Sequence, residues 1–154
     1  MIVMSVLVAW FLIVLGAGTA GVFDSGPGRP PLPLLLAVVG PPLLFALAYR
    51  SSRAVRDFAV RIDLRVLTAI QAWRVIGILF LGLYAFGLLP GVFAWPAGLG
   101  DVTVGVAAPF ALLAIVRRTP SWPTRVAWLN IAGLLDFVGA VGTGVLTKIG
   151  RAHV

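Results

Sequence analysis

Apolar residues run through this chain in five long stretches, residues 2–22, 31–49, 66–89, 97–116 and 124–147, separated by short polar or Arg-rich breaks. A helix of about 20 apolar residues spans ~30 Å of hydrocarbon. The pattern therefore predicts an all-α fold: a polytopic helical membrane bundle of five transmembrane helices. Residues 1–148 form its single transmembrane domain.

The breaks sharpen the prediction. Residues 23–30 hold Asp24, Ser25, Gly26, Pro27 and Gly28, a turn. Pro41-Pro42 sits inside the second stretch and predicts a kink near residues 38–42. In residues 50–65, Val55, Phe58, Ala59 and Ile62 recur at helical spacing while Arg and Asp take the other faces. That amphipathic segment reads as a short helix lying at the membrane interface, or as an extension of the third span. Residues 90–96, with Phe93 and Trp95, read as an uncharged interfacial loop. An alternative makes residues 95–101 a partly unwound start to the fourth span. The first stretch could also be a signal peptide, but no Lys or Arg precedes it, and a retained helix is the favoured reading.

Composition agrees. The 154-residue chain is 60% hydrophobic and 11% charged, with a mean hydropathy of +1.07, against roughly 25% charged for a soluble domain. Cysteine is absent, which removes disulfides and thiol chemistry. The net charge of +7 comes from clustered Arg residues: Arg50, Arg53, Arg56, Arg61 and Arg65 in one connection, and Arg117, Arg118 and Arg125 around another. Membrane proteins mark cytoplasmic loops this way, so nucleic acid is not expected as a partner. The N-terminus is expected to be cytoplasmic and the C-terminus external, in a cell membrane such as the bacterial inner membrane.

Lys148 and Arg151 break that orientation by placing positive charge outside. Residues 149–154, Ile-Gly-Arg-Ala-His-Val, can be spelled ATC-GGA-AGA-GCA-CAC-GTC, the start of a widely used sequencing adapter. They are expected to be a non-native tail, read through from a truncated gene, and are left out of the fold. His153, the only histidine, then has no role.

The candidate chemistry lies inside the spans. At a rise of about 1.5 Å per residue, Gln71 lies ~9 Å and Arg74 ~13 Å in from Arg65, and Asn130 ~8 Å and Asp136 ~16 Å in from Arg125. Gln71 is thus level with Asn130, and Arg74 with Asp136. Asp101 lies ~24 Å from Arg117, which leaves it nearer the outer surface, expected either to reach Arg74 only through water or to face an external vestibule. Gly98, Asp101, Gly105 and Ala108 make a small-residue stripe on its helix. Ionisable residues within a membrane need partners and default to functional candidates.

Catalytic signatures are lacking: no HExxH, phosphate-binding loop, dinucleotide fingerprint or His-based triad occurs, so no enzyme activity, metal or cofactor is expected. Gln71, Arg74, Asp101, Asn130 and Asp136 form the expected ligand or proton pathway. The expected partners are the lipid bilayer and a small polar or anionic ligand, or protons. The alternative is a structural or accessory subunit, meeting a membrane protein or its own copy, in which the cluster only fixes helix packing. An enzyme acting on lipid is a third, weaker reading.

Overall fold

The computed structural model describes residues 2–24 and 31–150, with side chains for 5–24 and 31–146. Most of the expected turn at 23–30, and residues 151–154 of the expected tail, lie outside the described residues. Every regular element among those described is helical: α1 (Ile2–Thr19), α2 (Leu32–Ser51), α3 (Arg53–Arg61), α4 (Leu64–Ile70), a 3₁₀ helix (Gln71–Gly77), α5 (Ile78–Ala85), α6 (Gly91–Val116) and α7 (Trp122–Gly150). Leu32–Ser51, Leu64–Ala85, Gly91–Val116 and Trp122–Leu146 are each long and apolar enough to cross a membrane. The described side chains of α1, Ser5–Thr19, make a shorter apolar helix, so four such helices stand where five spans were expected.

The chain divides into two compact units, Met1–Arg56 with Lys148–Val154, and Asp57–Thr147. In the first, α1 ends where Gly21 takes φ +72° and the Val22 amide donates to the Ala17 carbonyl, which closes a Schellman turn. α2 continues through Pro41 and Pro42 as one helix and buries none of its residues.

The second unit is built around α6. Its buried positions are Ala94, Ala97, Gly98, Val104, Gly105, Ala108, Ala111 and Ala114. None is larger than valine, so neighbouring backbones come close, the packing that membrane helices use in place of a hydrophobic driving force. Toward the Arg-rich end, Val104, Ala108 and Ala111 meet Val126 and Leu129 of α7, with Leu64 and Ala72 packed against them. Toward the opposite end, Phe80 meets Phe93 edge-on at 5.5 Å and Tyr84 meets Trp95 at 6.0 Å.

Several boundaries differ from expectation, each for a local reason. α6 begins at Gly91, not at residue 97, because extended Pro90 serves as its N-cap and Pro96 is accommodated within the helix. Residues 90–96 are therefore not a loop, and 95–101 are not unwound. The third span ends at Ala85, because Gly87 at φ +70° lets the Leu88 amide donate to the Leu83 carbonyl. Asp63 starts that span by accepting from the Arg65 amide at 2.8 Å.

The middle of the third span is not α-helical. Seven residues, Gln71–Gly77, are wound as 3₁₀, although runs beyond three or four residues are uncommon. A 3₁₀ helix is thinner, and α6 offers it a matching lane. A Cβ on Gly105 would lie 2.5 Å from the Val75 nitrogen and 3.1 Å from the Arg74 carbonyl carbon, and one on Gly98 would lie 3.2 Å from the Gly77 oxygen. Gly105→Leu is therefore expected to cost about 1–3 kcal/mol by overpacking. Gly139→Ala, with nothing within 4 Å of its Cβ, should be neutral or mildly stabilising. Unfolding midpoints of the two variants in detergent would check the contrast.

Candidate functional site

The 3₁₀ segment turns Arg74 toward α6 and α7. Its Nε donates to Asp101 Oδ1 at 2.6 Å, its Nη2 donates to Asp136 Oδ2, and its Nη1 donates to the Gly133 carbonyl at 3.5 Å. One side chain thereby ties three helical segments together. The side chains of Arg74, Asp101 and Asp136 are 17%, 23% and 8% exposed, so the triad is largely withdrawn from its surroundings. These are the ion pairs found among the described residues.

Glycines make the room. A Cβ on Gly77 would collide with the Asp101 side chain, and one on Gly100 with the Asp136 carboxyl. A Cβ on Gly133 would crowd Arg74 Nη1 at 3.2 Å. Each charged group thus sits where a neighbouring helix lacks a side chain, and each helix contributes both a charge and a clearing.

The expected residues fall into two sets. Gln71, Arg74, Asp101 and Asp136 line one cleft of about 540 Å³, among the 3₁₀ segment, α5, α6 and α7. Asn130 does not line it and is exposed. Seven residues, close to two turns, separate Leu129 from Asp136, so Leu129 holds the inward position and is 5% exposed. Asn130 is six residues away and turned off that face, so lying level with Gln71 does not bring it into the cleft. Asp101 also differs from expectation, because it bonds Arg74 directly. It packs beside Gly77, three residues beyond Arg74, and the long guanidinium side chain covers that step.

Of the aromatic lining of the cleft, Trp73, Phe80, Phe93 and Phe137, only Phe93 was singled out from the sequence, and as an interfacial residue. A signal existed for part of it: Trp73 and Phe137 adjoin Arg74 and Asp136 in the chain. Arg74 and Gly77, three residues apart, are stacked one above the other by the 3₁₀ winding. A second groove, of about 440 Å³ between α6 and α7, is apolar apart from Thr103 and Arg125 and holds Trp128 and Phe110.

Chemically, the triad counts one cation against two carboxylates. With both ionised, one negative charge remains to be balanced. No three His, Cys, Asp or Glu side chains converge to hold a metal among the described residues.

Among known proteins, the model for DUF8737, a domain of unknown function, matches residues 31–154. The chain belongs to the DUF8737 family. The matched stretch holds every residue of the triad and its glycine clearings. No curated protein and no solved structure matches the chain.

The charge count ranks the triad's substitutions. Arg74→Gln strands two carboxylates and is expected to destabilise by about 3–5 kcal/mol. Asp101→Asn leaves a neutral Arg74–Asp136 pair and should cost clearly less. Denaturant titration in mixed micelles should give that order; a larger loss in Asp101→Asn than in Arg74→Gln would contradict it.

Proposed function

We propose that this chain is a multi-pass integral membrane protein whose Arg74–Asp101–Asp136 triad is a site for a proton and a small polar or charged ligand. The observation that carries the reading is the sharing of one withdrawn guanidinium by two carboxylates at the floor of a cleft. A triad that only pinned three helices could do so with one carboxylate and one neutral acceptor, such as an amide. The second carboxylate adds a charge that is expensive in hydrocarbon, at roughly 2.5–3.5 kcal/mol for an ionised side chain near a span's centre. A proton or cation arriving at the site removes that cost.

An anion is the less favoured ligand. Arg74 already donates to both carboxylates and to Gly133, so an anion would have to displace one of them against their combined charge. The packing reading keeps one specific support, the glycine clearings at Gly77, Gly100 and Gly133, which hold the helices close whatever the site binds.

The bilayer reading rests on four helices of spanning length and on large apolar side chains left exposed, such as Leu36 at 73% and Trp128 at 66%. Five spans, counting α1, put both Arg-rich connections on the cytoplasmic face with the N-terminus.

Two measurements test these points. Infrared spectroscopy of the full chain near neutral pH should show the carbonyl band of a protonated carboxylic acid, lost in both Asp101→Asn and Asp136→Asn; its absence from the wild-type spectrum counts for packing alone. The chain has no cysteine, so single cysteines can report sidedness. Ser52→Cys and Ser121→Cys should be labelled only from the cytoplasmic side, and Leu88→Cys only from the outside.

A further inference from the structure

Charge, shape and wall chemistry together restrict what the cleft can take. The groups facing the two carboxylates are Arg74 from the 3₁₀ segment and each other from α6 and α7, while α5 brings only Leu79, Phe80 and Leu83. With both carboxylates ionised the site is one negative charge in excess, which attracts cations and repels anions. The volume, about 540 Å³, lies in the ordinary range for a drug-sized ligand, roughly 300–1,000 Å³.

The walls are aromatic. Four rings, Trp73, Phe80, Phe93 and Phe137, share the lining with the carboxylates, and ring faces attract cations most strongly where water is excluded. Hydrogen-bonding groups are scarce: apart from the triad, Gln71 is the one polar side chain in the lining. A sugar, nucleotide or amino-acid zwitterion would leave most of its polar atoms unpaired, and each buried unpaired group weakens binding. The rim is apolar as well, with Trp73 at 66%, Ile76 at 55% and Leu79 at 60% exposed.

The geometry points to a lipophilic organic cation, an amine or quaternary onium ion, as the ligand of this cleft. It is held by Asp101 and Asp136 and enclosed by the four rings. This inference rests on the reading of the triad as a binding site. Binding is an exchange: one carboxyl O–H breaks, its proton leaves to water, and the cation takes over the charge. The site is neutral before and after, and each cation bound releases one proton.

The test uses the full chain in lipid nanodiscs, with tetraphenylphosphonium as the probe and tetraphenylborate as its anion of matching shape. Tetraphenylphosphonium should bind saturably with release of one proton, read by a dye in weak buffer, and tetraphenylborate should not compete. Asp136→Asn should weaken binding at least about tenfold. Trp73→Ala, at the exposed rim and so least disruptive to folding, should weaken it about threefold to tenfold. Trp128→Ala, in the other groove, should leave it unchanged. Equal binding of the borate, or wild-type affinity in both Asp136→Asn and Trp73→Ala, overturns the inference. Failure of the phosphonium to bind while the infrared carboxyl band persists overturns the ligand class and spares the proton site; loss of both overturns both.

Discussion

A single guanidinium shared between two carboxylates is the constraint that the unit Asp57–Thr147 is arranged around. In lipid, apolar side chains gain little by leaving acyl chains for one another, so association relies on close packing and polar bonds. An arginine at depth adds a penalty of its own. Arg74 meets that penalty by drawing Asp101 from α6 and Asp136 from α7 onto its own face, which fixes the rotation of both helices about their axes. The apolar layer below and the aromatic pairs above then follow from where those faces point.

The same demand explains the choice of small residues. Three charged side chains can meet only if the backbones nearest them carry nothing. Gly77, Gly100 and Gly133 supply those absences, and Gly98 and Gly105 admit the narrow winding of the third span. Bulk moves outward instead: many of the large apolar side chains of α7, such as Trp128, Leu134 and Leu135, are exposed. The interior of this unit is small and polar at its middle, the reverse of a water-soluble core and the arrangement that the proposed apolar surroundings would favour.

Four of the five expected spans are helices long and apolar enough to cross a membrane, and they were legible because length and apolarity are cues carried by the sequence itself. Helix ends were less so: Pro90 reads as a terminator of the third span, yet it caps the fourth. The level of Arg74 with Asp136 follows from counting residues in from the Arg-rich loops, since both lie on spans entered from the same face. Asp101 escaped that count because its span was measured as a straight rod, and a long side chain bridges the remaining step. Asn130 failed on rotation: at six residues from Asp136 it lies on another face, and Leu129 takes its place. Gln71–Gly77 contains no proline or paired glycine to announce a change of winding. That change is imposed by the surface of α6 and is invisible to local propensity.

Winding carries a length and a phase. Seven residues of 3₁₀ helix are about 3.5 Å longer than the same residues as α-helix and differ from them by about 140° of rotation. The third span is therefore longer and further wound through its centre than an α-helix of the same residues. That added length and phase set where α5 begins and which way its side chains face.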